Sequence, residues 1–195
     1  MQERVFGDNN GIMLEKGLIE HCSATLAGLK SANLFNHRFT SKGDVMTELK
    51  IVNDKLNGRG VFVDALLWKE RSVLIYTYRK NHLERELAQD GAVELLAEYG
   101  YEGCDIEECL DRLKRRLDGC DCFPHEIGLF LGYPLPDVIG FIQNNGKNCK
   151  CCGPWKVYCN ENEALRLFDK IKKCADVYSR VFSEGRCISK MTVCA

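Results

Sequence analysis

Val61–Tyr78 reads VFVDALLWKERSVLIYTY. Val61–Trp68 and Val73–Tyr78 are dense in β-branched and aromatic side chains, which suit a pleated, half-buried surface. Between them stands the polar turn Lys69-Glu70-Arg71-Ser72. Two such runs joined by so short a turn predict an antiparallel hairpin. A hairpin in the middle of the chain argues against a doubly wound parallel sheet, whose neighbouring strands need helical crossovers.

Upstream of the hairpin, Thr40 or Ser41 caps a helix with Val45, Leu49, Val52 and Leu56 on its apolar face, closed by Asn57-Gly58 and Gly60. Leu34–Phe39 alternates apolar and polar residues and predicts a strand. Met13–Cys22 sets Leu14, Leu18, Ile19 and Cys22 on one helical face. Ser23 or Thr25 then offers an N-cap for a short second helix ending near Lys30. Downstream, one helix begins near Asn81, and a second runs from Asp90 to Tyr99-Gly100. Asp105-x-x-Glu108 has the form of a capping box ahead of the stripe Ile106, Cys109, Leu110, Leu113 and Leu117.

Phe123–Tyr158, FPHEIGLFLGYPLPDVIGFIQNNGKNCKCCGPWKVY, combines turn residues, charge and aromatics. Pro124 and Pro136 mark helix starts, and Gly132 and Asn145-Gly146 mark helix ends. Trp155, Val157 and Cys159 alternate with Lys156 and Tyr158 as a short strand. Asn160-x-x-Glu163 opens the longest helix, with Ala164, Leu167, Phe168, Ile171, Cys174, Ala175, Tyr178 and Phe182 facing inward. Residues 186–195 are expected to form a loosely ordered tail. The sum predicts one α+β domain over 1–195, with a small, mainly antiparallel sheet of about four strands packed with helices.

The chain is 45% hydrophobic and 28% charged with a net charge of −1, which gives no global field to attract nucleic acid or an anionic membrane. No apolar run approaches the ~20 residues of a membrane span. The N-terminus lacks the apolar core of a signal peptide, so a cytoplasmic protein is expected. Twelve cysteines without an export signal read as reduced thiols.

FPHEIGLFLGYPLPDVIGFI, followed by GKN and G-x-WKVY, resembles a bacterial family known as domain of unknown function 3793. HCSATLAGLKSANLF is similar to the same family's N-terminal signature, and the hairpin end YTYR fits it too. The resemblance covers about Gly17 to Cys174, with departures at Ala24 and Ser31, where the signature carries proline. It implies a protein of anaerobic bacteria with no settled activity, and it marks the segment around Cys149, Cys151 and Cys152 as variable.

Several residues carry candidate chemistry. A thiol at Cys22, just before a helix start, would feel the helix amides and dipole that depress a thiol pKa. With His21 or His125 as base and Lys30 or Lys147 holding negative charge, a covalent thiol mechanism follows; the other reading makes Cys22 a core residue in register with Leu18. Glu126 suits the positive end of the helix after Pro124, and His125 is a base, a ligand or a structural histidine. Lys147, Lys156 and Arg79 form either an anion-holding patch for phosphate or carboxylate or a solvated cationic face. Cys149, Cys151, Cys152 and Cys159, joined by Cys120 and Cys122, offer sulfur ligands for zinc or an iron–sulfur cluster, although the two spaced Cys-x-x-Cys pairs usual for such sites are absent. Serine-hydrolase elbows, Walker loops and the dinucleotide glycine fingerprint are also absent.

The leading expectation is a binding protein for a small anionic molecule, or a thiol-dependent enzyme, with its cleft between the 21–30 turn and the 123–158 stretch. Cys22, His21 and His125 are its catalytic candidates, and Lys30, Arg79, Glu126, Lys147 and Lys156 its ligand contacts. A metal or redox protein using the cysteine cluster, and an interaction module without chemistry, are the alternatives. The sequence implies no particular cofactor and no oligomeric state.

Overall fold

In the computed structural model, which describes residues 10–119 and 123–194, the hairpin forms as read. Strand β2 (Val61–Trp68) pairs antiparallel with β3 (Ser72–Arg79), and Lys69 N donates to Ser72 O across the turn at 2.8 Å. Strand β1 (Ala32–Arg38) takes the other edge of β3, also antiparallel, giving the order β1-β3-β2.

Strand alternation sends Val73 and Ile75 of β3 to one face and Leu74, Tyr76 and Tyr78 to the other. Both faces are covered. Helices α1 (Asn10–Leu26) and α2 (Lys42–Leu56) bury Leu14, Leu18, Cys22, Val52 and Leu56 on the first. On the second lie α3 (Lys80–Leu87), α4 (Asp90–Glu98), α5 (Ile106–Gly119) and α6 (Ile127–Phe130), with Leu83, Leu113 and Phe130 in the core. Tyr76 fastens this layer by donating its hydroxyl to Phe130 O at 2.5 Å. Local signals set the helix starts. Ser41 Oγ accepts from Asp44 N, and the capping box closes in both directions between Asp105 and Glu108. Asn160, in contrast, makes no side-chain cap bond.

Helix α7 (Leu135–Gln143) leads to a two-residue ribbon, β4 (Cys151–Cys152) with β5 (Lys156–Val157), and then to α8 (Glu161–Ser183). The ribbon and the start of α8 enclose a third, small core of Trp155, Val157 and Ala164, packed by Tyr133 and Phe168. Farther along, α8 lies on α1. The fold is α+β, with a three-stranded antiparallel sheet and a separate two-stranded one.

Two expectations are corrected. No second helix follows Cys22, because α1 runs unbroken to Leu26. Thr25 Oγ1 donates to Asn33 Oδ1 at 2.7 Å instead of capping, and Gly28, at φ +75°, turns the chain so that Leu29 N and Lys30 N close on Ala24 O. The C-terminal residues are not loose either. Helix α9 (Ile188–Met191) buries Ile188 completely, Val193 N donates to Leu26 O, and Tyr178 donates its hydroxyl to Met191 O at 2.6 Å. Among the described residues, no helix is long and apolar enough to cross a membrane.

Candidate functional site

Around Pro124–Lys156 the chain folds over an apolar cavity of about 500 Å³. Its walls include His125, Tyr133, Val138, Phe141, Trp155 and Lys156. Tyr133 and Trp155 stack with ring centres 5.1 Å apart, and Phe168 meets the other ring edge-on at 4.6 Å from Trp155. His125 sets its ring against Phe141 at 5.2 Å.

Asp137 holds this arrangement together. It is buried in the first turn of α7, where Oδ2 accepts from Trp155 Nε1 at 2.8 Å and Oδ1 accepts from Tyr158 N and Cys159 N at 2.8 and 2.9 Å. One carboxylate thereby fixes both the indole and the strand that carries it. Gly140 permits the close approach, since a Cβ there would lie 2.5 Å from the Tyr158 ring. Tyr133 adds a bond from its hydroxyl to Pro154 O at 3.2 Å.

The residues singled out from the sequence divide between this cavity and the core. His125 and Lys156 line the cavity, and both side chains are exposed. Trp155 points inward and Lys156 outward, as strand alternation requires. Lys156 Nζ donates to Gly146 O at 2.6 Å and lies 5.8 Å from the Phe141 ring centre. Two of its three ammonium protons remain available for an anion. Lys147 is exposed and lies outside the cavity lining.

Arg79 is not part of a cationic patch. It is buried, with Nε donating to Thr25 O and Nη2 to Leu26 O and Val193 O at 2.6–2.8 Å, so it caps α1 and ties down the C-terminal segment. Glu126 is also fully buried, accepting from Arg116 Nε and from the Tyr101 hydroxyl. Both charges have structural partners: Arg79 is met by three backbone carbonyls and Glu126 by the Arg116 guanidinium, where a buried charge without hydrogen bonds would be costly.

Cys22 sits within α1 with no exposed surface, and its thiol is pushed up to about 12 by burial, against the pull of the Thr77 hydroxyl and the Lys30 charge. A nucleophilic thiol needs the opposite environment. His21 faces solvent and stacks on Phe35 at 5.1 Å. Lys30 is buried with Nζ 4.8 Å over the Tyr133 ring, and burial lowers its ammonium to about 8 while Cys22 and Glu86 pull it back up. The 21–30 turn therefore touches the 123–158 stretch through Lys30 and Tyr133, but among the described residues the cavity is lined by residues 123–156 alone.

Cys149 and Cys152, a single Cys-x-x-Cys, bring their sulfurs within 3.3 Å. Cys151 turns inward against the Trp155 core, and Cys159 is exposed. Among the described residues, no three His, Cys, Asp or Glu side chains converge in a way that could hold a metal ion. Cys120 and Cys122 lie outside the described residues. Asp137, Tyr133 and Phe141 were not apparent as site residues from the sequence. The only local hint of Asp137 is an acid in a first helical turn after Pro136, and that pattern ordinarily reports no more than a helix start.

Fold and site together define an α+β protein with an aromatic-walled cavity pinned by a buried aspartate. The chain belongs to the family described as protein of unknown function (DUF3793), which matches residues 18–192. No curated protein and no solved structure matches the chain.

Proposed function

We propose that this protein binds a small, flat, anionic molecule, with its ring in the aromatic cavity and its negative charge met by Lys156 and His125. The observation that carries the reading is the cavity itself: about 500 Å³, apolar, walled by Tyr133, Phe141 and Trp155, with the polar side chains of His125, Asp137, Cys152 and Lys156 also in its lining, the Asp137 carboxylate being taken up by Trp155 and the backbone. Ligand pockets of this size combine apolar and aromatic walls with a few orienting polar groups. The stacked rings suit a planar partner, and a cation beside them selects for carboxylate or phosphate. A reducing location such as the cytoplasm suits the reading, since the ten described cysteines are all free thiols.

The two tryptophans make the test direct. In a Trp68→Phe background, Trp155 is the single indole reporter. Titration with a panel of aromatic carboxylates and nucleotides is expected to give saturable quenching by at least one compound. Affinity for that compound should fall about tenfold or more in Lys156→Met, the loss of one charge-assisted contact. Absence of saturable quenching across the panel, or affinity unchanged in Lys156→Met, would reject the proposal.

A further inference from the structure

We infer that Cys149 and Cys152 form a thiol–disulfide exchange site whose substrate is the disulfide of a low-molecular-weight thiol. The inference is independent of whether the cavity takes an anionic ligand. It starts from a pair of free thiols whose sulfurs are 3.3 Å apart. A disulfide needs about 2 Å, so a small side-chain rotation closes the gap without moving the backbone far.

The local fold explains why these two sulfurs meet and Cys151 stays apart. Asn148 adopts φ +60°, which turns the chain just before Cys149, and Lys150 N then donates to Val157 O at 2.8 Å. Cys151 and Cys152 pair with Val157 and Lys156, so strand alternation sends Cys151 inward and Cys152 outward. Cys152 is exposed and also lines the aromatic cavity, whereas Cys149 is half-buried and is not in the cavity lining. Access therefore assigns the roles: Cys152, exposed although its hydrogen bond with Cys149 holds its thiol above the ordinary value, meets the incoming disulfide, and Cys149 resolves it.

The chemistry balances without a further reagent. The Cys152 thiolate attacks one sulfur of the incoming disulfide, forming a mixed disulfide and expelling one thiolate. Cys149, having given up its proton to solvent, then attacks the Cys152 sulfur and expels the second thiolate. The protein dithiol loses two electrons and two protons, and the substrate disulfide becomes two thiols. A reducing thiol pool returns the pair to its starting state by the reverse steps.

The test equilibrates the whole chain, without oxygen, in buffers of graded reduced-to-oxidised glutathione ratio, followed by acid quenching, alkylation and peptide mapping. The expected result is a disulfide joining Cys149 to Cys152 at ratios where Cys22, Cys151 and Cys159 remain alkylated. Cys149→Ser should leave glutathione on Cys152 as an unresolved mixed disulfide, and Cys151→Ser should leave closure unchanged. The wild-type titration decides the matter even if a variant folds poorly. The inference is overturned if Cys149 and Cys152 stay reduced while exposed Cys159 or Cys187 is oxidised, or if Cys152 pairs with another cysteine.

Discussion

Asp137 accepts three donors with two oxygens, and all three lie 18 to 22 residues further along the chain. Removing its carboxylate leaves a buried indole N–H and two part-buried backbone N–H groups without that partner. Hydrogen bonds to a charged group contribute about 1.5–3 kcal/mol each, and a buried donor left unpaired costs about as much. Asp137→Ala is therefore expected to destabilise the chain by at least about 3 kcal/mol. Urea unfolding followed by Trp155 emission should show the lower midpoint together with a red-shifted native spectrum, and a midpoint within error of the parent would contradict the pinning role. The distance of these partners along the chain is why sequence reading passes over Asp137. The same limit affects Cys22: its face of α1 is legible from Leu14 and Leu18, but Lys30 and Thr77, which surround the thiol, come from other elements. Arg79 and Glu126 read as charges available for a ligand because nothing local announces the carbonyls and the guanidinium that occupy them.

Elements held by nearby residues were the legible ones. The β2–β3 hairpin, the Ser41 cap and the Asp105–Glu108 box all rest on signals within a few residues. The C-terminal segment is the counter-example. Short and without a helical or strand periodicity, it has little propensity of its own, yet Ile188 fills the core beneath α1 and α2, and Arg59 and Arg79 donate to Thr192 O and Val193 O. Complete burial of an isoleucine side chain contributes about 2–3 kcal/mol. Deleting residues 187–195 should thus cost at least about 2 kcal/mol and also expose the ends of α1 that Arg79 helps to cap. Chemical denaturation of the shortened chain measures this, and an unchanged midpoint would mean that the segment lies on the fold without supporting it.

At the scale of the whole molecule, Lys30 couples the two halves of the structure. It leaves the end of α1, crosses to the Tyr133 ring, and through that ring meets Trp155 and the cavity wall. Burial lowers its pKa from the ordinary 10.5 to about 8. Below about pH 8 the residue is charged in both folded and unfolded chains, so the cost of burying the charge is fully present. Above about 8 the folded chain releases this proton while the unfolded chain keeps it up to 10.5, so stability rises with pH in that window. Cys22 acts in the opposite sense. Its thiol ordinarily titrates at 9 and is held near 12 in the fold, so above 9 the unfolded chain loses that proton first and stability falls. For these two groups together the net gain is confined to about pH 8 to 9 and cannot exceed about 1.4 kcal/mol, the value of one proton across one pH unit. Urea midpoints measured across this interval should rise more steeply for the parent chain than for Lys30→Met, which keeps the length of the side chain without its charge. A parent midpoint that falls over the interval, or a variant that rises as steeply as the parent, would show that the charge on Lys30 is not what the fold is resisting.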